Sequence, residues 1–257
     1  MAGTLDRSAG TQRPVGFGQL LGRLAAAGVI AGALAGVFSL LVTERAIAPA
    51  LKVEQARAAA AGSPEHGGEV FGRGTQLLGG FLGTLLAGVV LAVVFAAVYG
   101  AVRHRLPGRT DFARVTLLAA IAFGILALLP ALKIPANPPA VGDPDTVGTR
   151  TAIYGAVLLS GIVMAMLVSA LISFLGSRGV GTAATTTAAV ATTAVLLTLV
   201  LVLVPDNPDT IAADVPAAVV WNFRLASLGQ LAVLWTALGL AGGWLLDRLT
   251  RAAGPER

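Results

Sequence analysis

The sequence predicts an all-α, polytopic integral membrane protein of about six transmembrane helices, with both termini on the cytoplasmic side. Three observations carry that reading. The 257 residues are 56% hydrophobic and only 12% charged, with a mean hydropathy of +0.82. Six long stretches carry no charged side chain. About 20 apolar residues cross the hydrocarbon core as a helix, which satisfies its own backbone hydrogen bonds there. The remaining charges are shared unevenly between alternate links. With the N-terminus inside, the cytoplasmic segments hold eleven of the eighteen Lys and Arg, and the outer segments hold nine of the thirteen Asp and Glu. Cations favour the cytoplasmic side, and such basic edges suit anionic lipid headgroups. The net charge of +5 therefore points to the bilayer and not to nucleic acid.

The elements follow in order. Residues 1–19 are polar and form a cytoplasmic tail; residues 20–249 form a single helical membrane domain; residues 250–257 are a second cytoplasmic tail. Span one is Leu24–Thr43. Basic residues precede it and Ala46-Ile47-Ala48 has the form of a cleavage site, but the run exceeds the roughly 7–15 residues of a signal peptide's apolar region. It is read as a retained span. Its Gly28, Gly32 and Gly36 form a four-residue stripe that suits close helix packing in lipid. The outer link 44–74 is the longest. Alanine-rich Val53–Ala61 predicts an external helix, ended by Gly62-Ser63-Pro64 and followed by a glycine-rich loop with Glu65, His66 and Glu69. Span two, Thr75–Val102, carries Gly79 and Gly83. A basic inner turn, Arg103–Arg114, leads to Val115–Leu132, the shortest span, which meets Pro130 near its end. Spans four, five and six are Thr151–Ser177, Gly179–Pro205 and Leu225–Leu246, the last carrying Gly239 and Gly243 at the same spacing of four.

The outer links 133–150 and 206–224 have related openings, Pro135-Ala136-Asn137-Pro138 and Pro205-Asp206-Asn207-Pro208. Proline stops each preceding helix and holds the residue before it extended. Asp145 or Thr146 is a candidate cap for span four, and Asp214 for span six ahead of Pro216.

Several chemistries are excluded or disfavoured. There is no cysteine, hence no disulfide and no thiolate metal site. Neither lysine follows a glycine, so there is no phosphate-binding G-x-x-x-x-G-K-[ST] loop, and no H-E-x-x-H occurs. The motifs give no support to an enzyme. The span interiors carry no Asp, Glu, Lys or Arg, whereas proton-coupled pumps place such groups inside the membrane. Span five offers six threonines between Thr185 and Thr198, which by default bond their own helix backbone. Gln230 is the amide within span six and suits a bond between helices. Trp221 and Tyr154 read as interfacial belt residues.

Potential ligands gather on the outer links. Asn137, Asp143 and Asp145 lie in one, Asp206, Asn207, Asp209 and Asp214 in another, and Glu44, Glu65, His66 and Glu69 in the first. Carboxylate and amide oxygens suit hard divalent cations, and imidazole extends the range to cobalt, nickel and zinc. The metal candidates are Asn137, Asp143, Asp145, His66 and Glu44. Acids and amides beside prolines are equally ordinary turn and cap residues. Pro144 holds Asp143 extended, which casts Asp145 as mainly a cap and Asp143 as the freer ligand. Arg150 and Arg224 read as partners of nearby aspartates or as headgroup contacts. No cofactor is implied.

The strings LKIPANPPAVGDPDTVGTRTAIYG, GEVFGRGTQLLGGFLGT and DVPAAVVWNFRLASLGQLAVLW resemble the CbtA-type cobalt transporter subunit family over most of Leu20–Leu246. The resemblance implies a bacterial cytoplasmic-membrane protein for cobalt uptake linked to cobalamin supply. It also implies a small single-span, histidine-rich partner (CbtB-like), with cobalt as cargo. Relatives are described with about five spans, against six here, and with a more histidine-rich first outer link, where this chain has His66. A second reading is a membrane scaffold or assembly subunit whose links only fix helix ends. An assembly with the partner, or of several copies, fits either.

Overall fold

The computed structural model describes residues 16–60 and 72–252. Most of the expected N-terminal tail, the C-terminal residues 253–257 and the stretch bearing Glu65, His66 and Glu69 lie outside the described residues. Within them the fold is all-helical, with six helices long and apolar enough to cross a membrane. We label these α1 (Phe17–Ala60), α2 (Arg73–Val102), α3 (Asp111–Lys133), α4 (Val147–Ser177), α5 (Thr182–Leu203) and α6 (Ala217–Ala252). Large apolar side chains such as Leu86, Leu159, Met166, Val202 and Leu203 are exposed. In water that much apolar surface would be a liability; in lipid it is matched to its solvent.

Two helices differ from expectation. The external helix is not separate from span one, because α1 runs unbroken from Phe17 to Ala60 through a π-helical turn at Ser39–Thr43. The third span contains a second π-helical turn, Gly124–Leu128, immediately ahead of Pro130. A proline ring collides with the carbonyl four residues back and cannot donate to it. The wider turn at that place relieves the conflict and lets the helix continue to Lys133.

The chain divides into two compact units. The first comprises residues 16–36, 80–120 and 233–252 of the described chain. Its core includes Leu20, Leu24, Phe95, Tyr99, Val115 and Leu238. The glycine stripe of α1 is what brings α2 close. A methyl carbon on Gly32 would stand 2.7 Å from the carbonyl oxygen of Leu85, and one on Gly88 would stand 2.6 Å from Cα of Gly32. Gly28 faces Ala92, and Gly36 faces the Phe81 ring. In α2 the packing glycine is Gly88; Gly79 and Gly83 face open space. Gly239 and Gly243 of α6 rest against Thr116, Ala119 and Phe112 of α3. The glycine stripes of α1 and α6 thus serve helix packing, as expected in lipid.

The second unit comprises residues 37–60, 72–79 and 121–232 of the described chain. Leu129, Ile153 and Val157 form a buried cluster, joined by Met164, Leu197, Val200 and Val204. Gly161 of α4 admits Ile125 and Leu129. Three of the α5 threonines behave as expected. Thr187, Thr193 and Thr198 donate to the carbonyls of Ala183, Ala189 and Ala194, four residues back. Thr43 Oγ1 donates to Gln230 Oε1 at 3.0 Å, which bears out Gln230 as an interhelical bond. Trp221 and Tyr154 are exposed, consistent with belt positions.

Candidate functional site: the interlocked polar links

The two proline-rich links meet within the second unit, and Asp209 is their centre. Its side chain is 1% exposed. It accepts from Asn137 Nδ2 at 2.7 Å, Thr146 Oγ1 at 2.6 Å, Arg150 Nη1 at 2.9 Å and the Asp143 backbone N–H at 3.3 Å. Its own N–H donates to Asn207 Oδ1 at 3.1 Å, a local turn of the kind asparagine favours. Burial pushes the Asp209 carboxyl up, but the bonds from Thr146 and Asp143, the charge of Arg150 and the bond from Asn137 outweigh it and hold it below the ordinary carboxylate range. A buried charge needs this kind of company.

Asn137 is committed at both ends. Besides its bond to Asp209, its Oδ1 accepts from Arg224 Nη2 at 3.1 Å, while Arg224 Nε reaches the Ala136 carbonyl at 3.3 Å. Arg150 is thus the partner of an aspartate, as the sequence suggests. Arg224 is held by an amide and a carbonyl instead. Glycine is required at position 142, where φ is +125° and an added methyl carbon would stand 3.1 Å from Arg150 Nη1.

Further ties fix the same links. The Lys133 side chain is 6% exposed; its Nζ donates to the Leu201 carbonyl at 2.9 Å and to Asp206 Oδ1 at 2.5 Å. The first of these bonds satisfies a carbonyl near the end of α5. The C-terminal arm of α1 supplies Arg57, whose Nε and Nη2 grip Asp214 at 2.7 and 2.6 Å. Its Nη1 reaches the carbonyl of Ala140 at 2.7 Å, at a residue held in the left-handed region with φ of 66°. The Arg57 guanidinium holds the Asp214 carboxyl below its ordinary range. Glu44 forms an ion pair with Arg73.

The capping expectation is reversed. Asp143, not Asp145, is the cap: its Oδ1 accepts from the Asp145 N–H at 2.9 Å and opens the 3-10 turn Pro144–Thr146 ahead of α4. Asp145 is exposed, and its carboxylate makes no bond among the described residues. Thr146 Oγ1 lies within hydrogen-bond distance of both Asp209 Oδ1 and the Asp143 carbonyl, which share its single proton, and Asp214 is taken by Arg57. Of the five metal candidates, Asn137 and Asp143 belong to the network around Asp209, Asp145 projects beside it, Glu44 is paired with Arg73, and His66 lies outside the described residues. Among the described residues no three His, Cys, Asp or Glu side chains are grouped to hold a metal ion. Sequence reasoning missed Asp209 as the centre. The signal was present in the matched P-x-N-P openings, which place Asn137 and Asn207 at equivalent positions.

Such a fold and such links define a helical, multi-pass membrane protein whose polar chemistry is concentrated between its spans. The chain belongs to the family described as probable cobalt transporter subunit (CbtA), whose model matches residues 17–247. Membership in a transporter-subunit family points to a non-enzymatic role. Comparison with curated proteins and with solved structures finds no match.

Proposed function

We propose that this chain is the membrane subunit of a cobalt uptake system of the bacterial cytoplasmic membrane, linked to cobalamin supply. A small histidine-rich, single-span partner makes first contact with the ion. The observation that carries the reading is the family match over residues 17–247. In this reading the links 44–74, 133–150 and 206–224 face outward, both termini lie in the cytoplasm, residues 20–249 act as one membrane domain, and the chain performs no catalysis. Asp143 and Asp145 receive the ion at the outer mouth, because one carboxylate oxygen of Asp143 and both of Asp145 are unspent. Two carboxylates are an incomplete site for cobalt, which favours imidazole as well as oxygen; His66 and the partner's histidines supply the rest. Asn137 and Glu44, engaged with Asp209, Arg224 and Arg73, shape the mouth and reach the ion only by giving up those bonds.

One observation favours the scaffold alternative. Asn137, Asp209 and Asp214 are consumed by intrachain partners, and Asp206 gives one oxygen to Lys133, as links that merely fix helix ends require. Radiolabelled cobalt uptake separates the two readings. It is measured in cells with and without this chain and its partner, with nickel and zinc as competitors. The double variant Asp143→Asn, Asp145→Asn keeps the cap, since asparagine also caps, but removes both charges. A several-fold loss of uptake at normal protein abundance supports capture; wild-type uptake leaves the links a scaffold.

A further inference from the structure

The first unit has a strong charge imbalance at one end of its helices. Its described residues include seven arginines and two aspartates. Each aspartate has one oxygen engaged within the unit. Asp111 Oδ1 accepts from the hydroxyl of buried Tyr99 at 2.6 Å, and Asp247 pairs with Arg251 at 2.6 Å. Arg23, Arg103, Arg105, Arg109, Arg114 and Arg248 have no carboxylate partner among the described residues. Arg114 goes further: its Nε is buried and has no hydrogen-bond partner. A buried donor left unmade costs about 1–3 kcal/mol, so it calls for an acceptor.

The turn that carries four of these arginines is shaped by its own chain. Gly108 has φ of +132° and sits against Ala113 and the Arg114 side chain. The Thr110 hydroxyl accepts from the Ala113 N–H at 3.1 Å, and the Arg105 N–H donates to the Val102 carbonyl at 2.8 Å. Apolar surface lies beside the charge. Phe112 and Trp244 are exposed, and the Arg248 guanidinium lies 4.0 Å above the Trp244 ring. An exposed aromatic ring carrying a cation is the arrangement found at headgroup depth.

We propose that this end of the first unit is a binding surface for anionic phospholipid headgroups. A headgroup phosphate accepts from Arg114 and the neighbouring turn arginines while its acyl chains lie against Phe112 and Trp244. The phosphate supplies the oxygen that Asp111, bound to Tyr99, does not. This goes beyond the cobalt reading and is tested without cobalt.

The purified full chain is delipidated gently and exchanged into nanodiscs of phosphatidylcholine with phosphatidylglycerol. The lipids retained on re-extraction are counted by native mass spectrometry. Phosphatidylglycerol is retained in preference to phosphatidylcholine, and the preference falls as salt rises. Each arginine removed lowers it about fivefold. Arg105→Gln with Arg109→Gln changes two exposed side chains and leaves the fold intact, so its effect reads the surface alone; Arg114→Gln reads the buried donor. Arg45→Gln, exposed and in the other unit, leaves retention unchanged. Equal retention of the two lipids, wild-type retention in the turn variants, or an equal loss in Arg45→Gln overturns the proposal. So does displacement of the lipid by millimolar inorganic phosphate, which makes the site one for a free oxyanion.

Discussion

Replacing Asp209 with asparagine tests whether the two links are locked together through one carboxylate. The substitution keeps the shape but changes the chemistry. The two oxygens of Asp209 receive four donors, from Asn137, Thr146, Arg150 and the Asp143 N–H. An amide offers one oxygen and points its own donors at the rest. The charge opposite Arg150 also disappears. Breaking a fully buried pair costs about 3–5 kcal/mol. The Arg150 side chain is 28% exposed, so water recovers part of that, and we expect a loss on the order of 2–3 kcal/mol. Arg150→Met in the same chain removes the stranded cation and recovers part of the loss; contacting groups commonly couple by about 0.5–3 kcal/mol. Thermal unfolding in detergent or nanodiscs compares both variants with the wild type. Acid supplies an independent check. Because the folded Asp209 carboxyl lies below its ordinary value, its contribution is present above the unfolded value of about 4. It is lost as pH falls through the lower folded value. The wild type therefore loses this stabilisation in strong acid and Asp209→Asn has none to lose. If Asp209→Asn unfolds at the wild-type temperature and with the wild-type acid profile, the links are not held by this residue.

Gly32→Leu is expected to destabilise by about 1–3 kcal/mol or more, since the new carbon meets backbone atoms of Leu85 that cannot rotate away. Leu34→Ala, at a 49% exposed position, should change little, and equal yield and monodispersity of the two variants on size exclusion would refute the packing argument. Thr43→Val leaves Gln230 without its partner and should cost about 1 kcal/mol, while Thr43→Val with Gln230→Leu should be nearly neutral; a double variant worse than the sum of its parts contradicts this. The proposed orientation is checked by labelling Arg109→Cys in a chain without native cysteine: modification by an impermeant reagent in intact cells would reverse the topology.

The helices were legible because apolar runs of this length have few other uses. The π-helical turns were not, because the sequence shows Pro130 but not which residues upstream absorb it, and nothing marks Ser39–Thr43. Glycine stripes were legible on α1 and α6, where the spacing of four matches the packed face. They failed on α2, where Gly79 and Gly83 have the same spacing as packed glycines and face open space. Spacing gives a shared face but not what lies opposite it. The site was half legible. The Pro-x-Asn-Pro openings announced stiff turns, and the sequence singled out Asp143 and Asp145 while leaving Asp209 among the other link acids. Tertiary pairing ranks them otherwise: Asp209 is buried and surrounded by donors, while Asp206 is 93% exposed against a buried lysine. Local rules also misassigned the cap, because proline after Asp143 does not prevent its side chain from turning onto the Asp145 amide.

The distribution of polar groups bears on how the proposed system moves an ion. A charge taken into an apolar medium without ligands costs tens of kcal/mol, and a divalent ion costs more. Three of the threonines that give α5 its polar character, Thr187, Thr193 and Thr198, donate to their own backbone, so those hydroxyl protons are spent within the helix. The Thr43–Gln230 pair offers neutral oxygens only, in a place where each already satisfies the other. Among the described residues, charged oxygens that remain unspent stand in the links and include those of Asp143 and Asp145 and the second oxygen of exposed Asp206. Capture at the mouth is therefore within the chemistry of this chain, whereas passage needs further ligands at membrane depth. In the proposed system those ligands come from a second polypeptide. The prediction that follows is that this chain alone, expressed without its partner, binds cobalt weakly at its surface and accumulates none inside the cell.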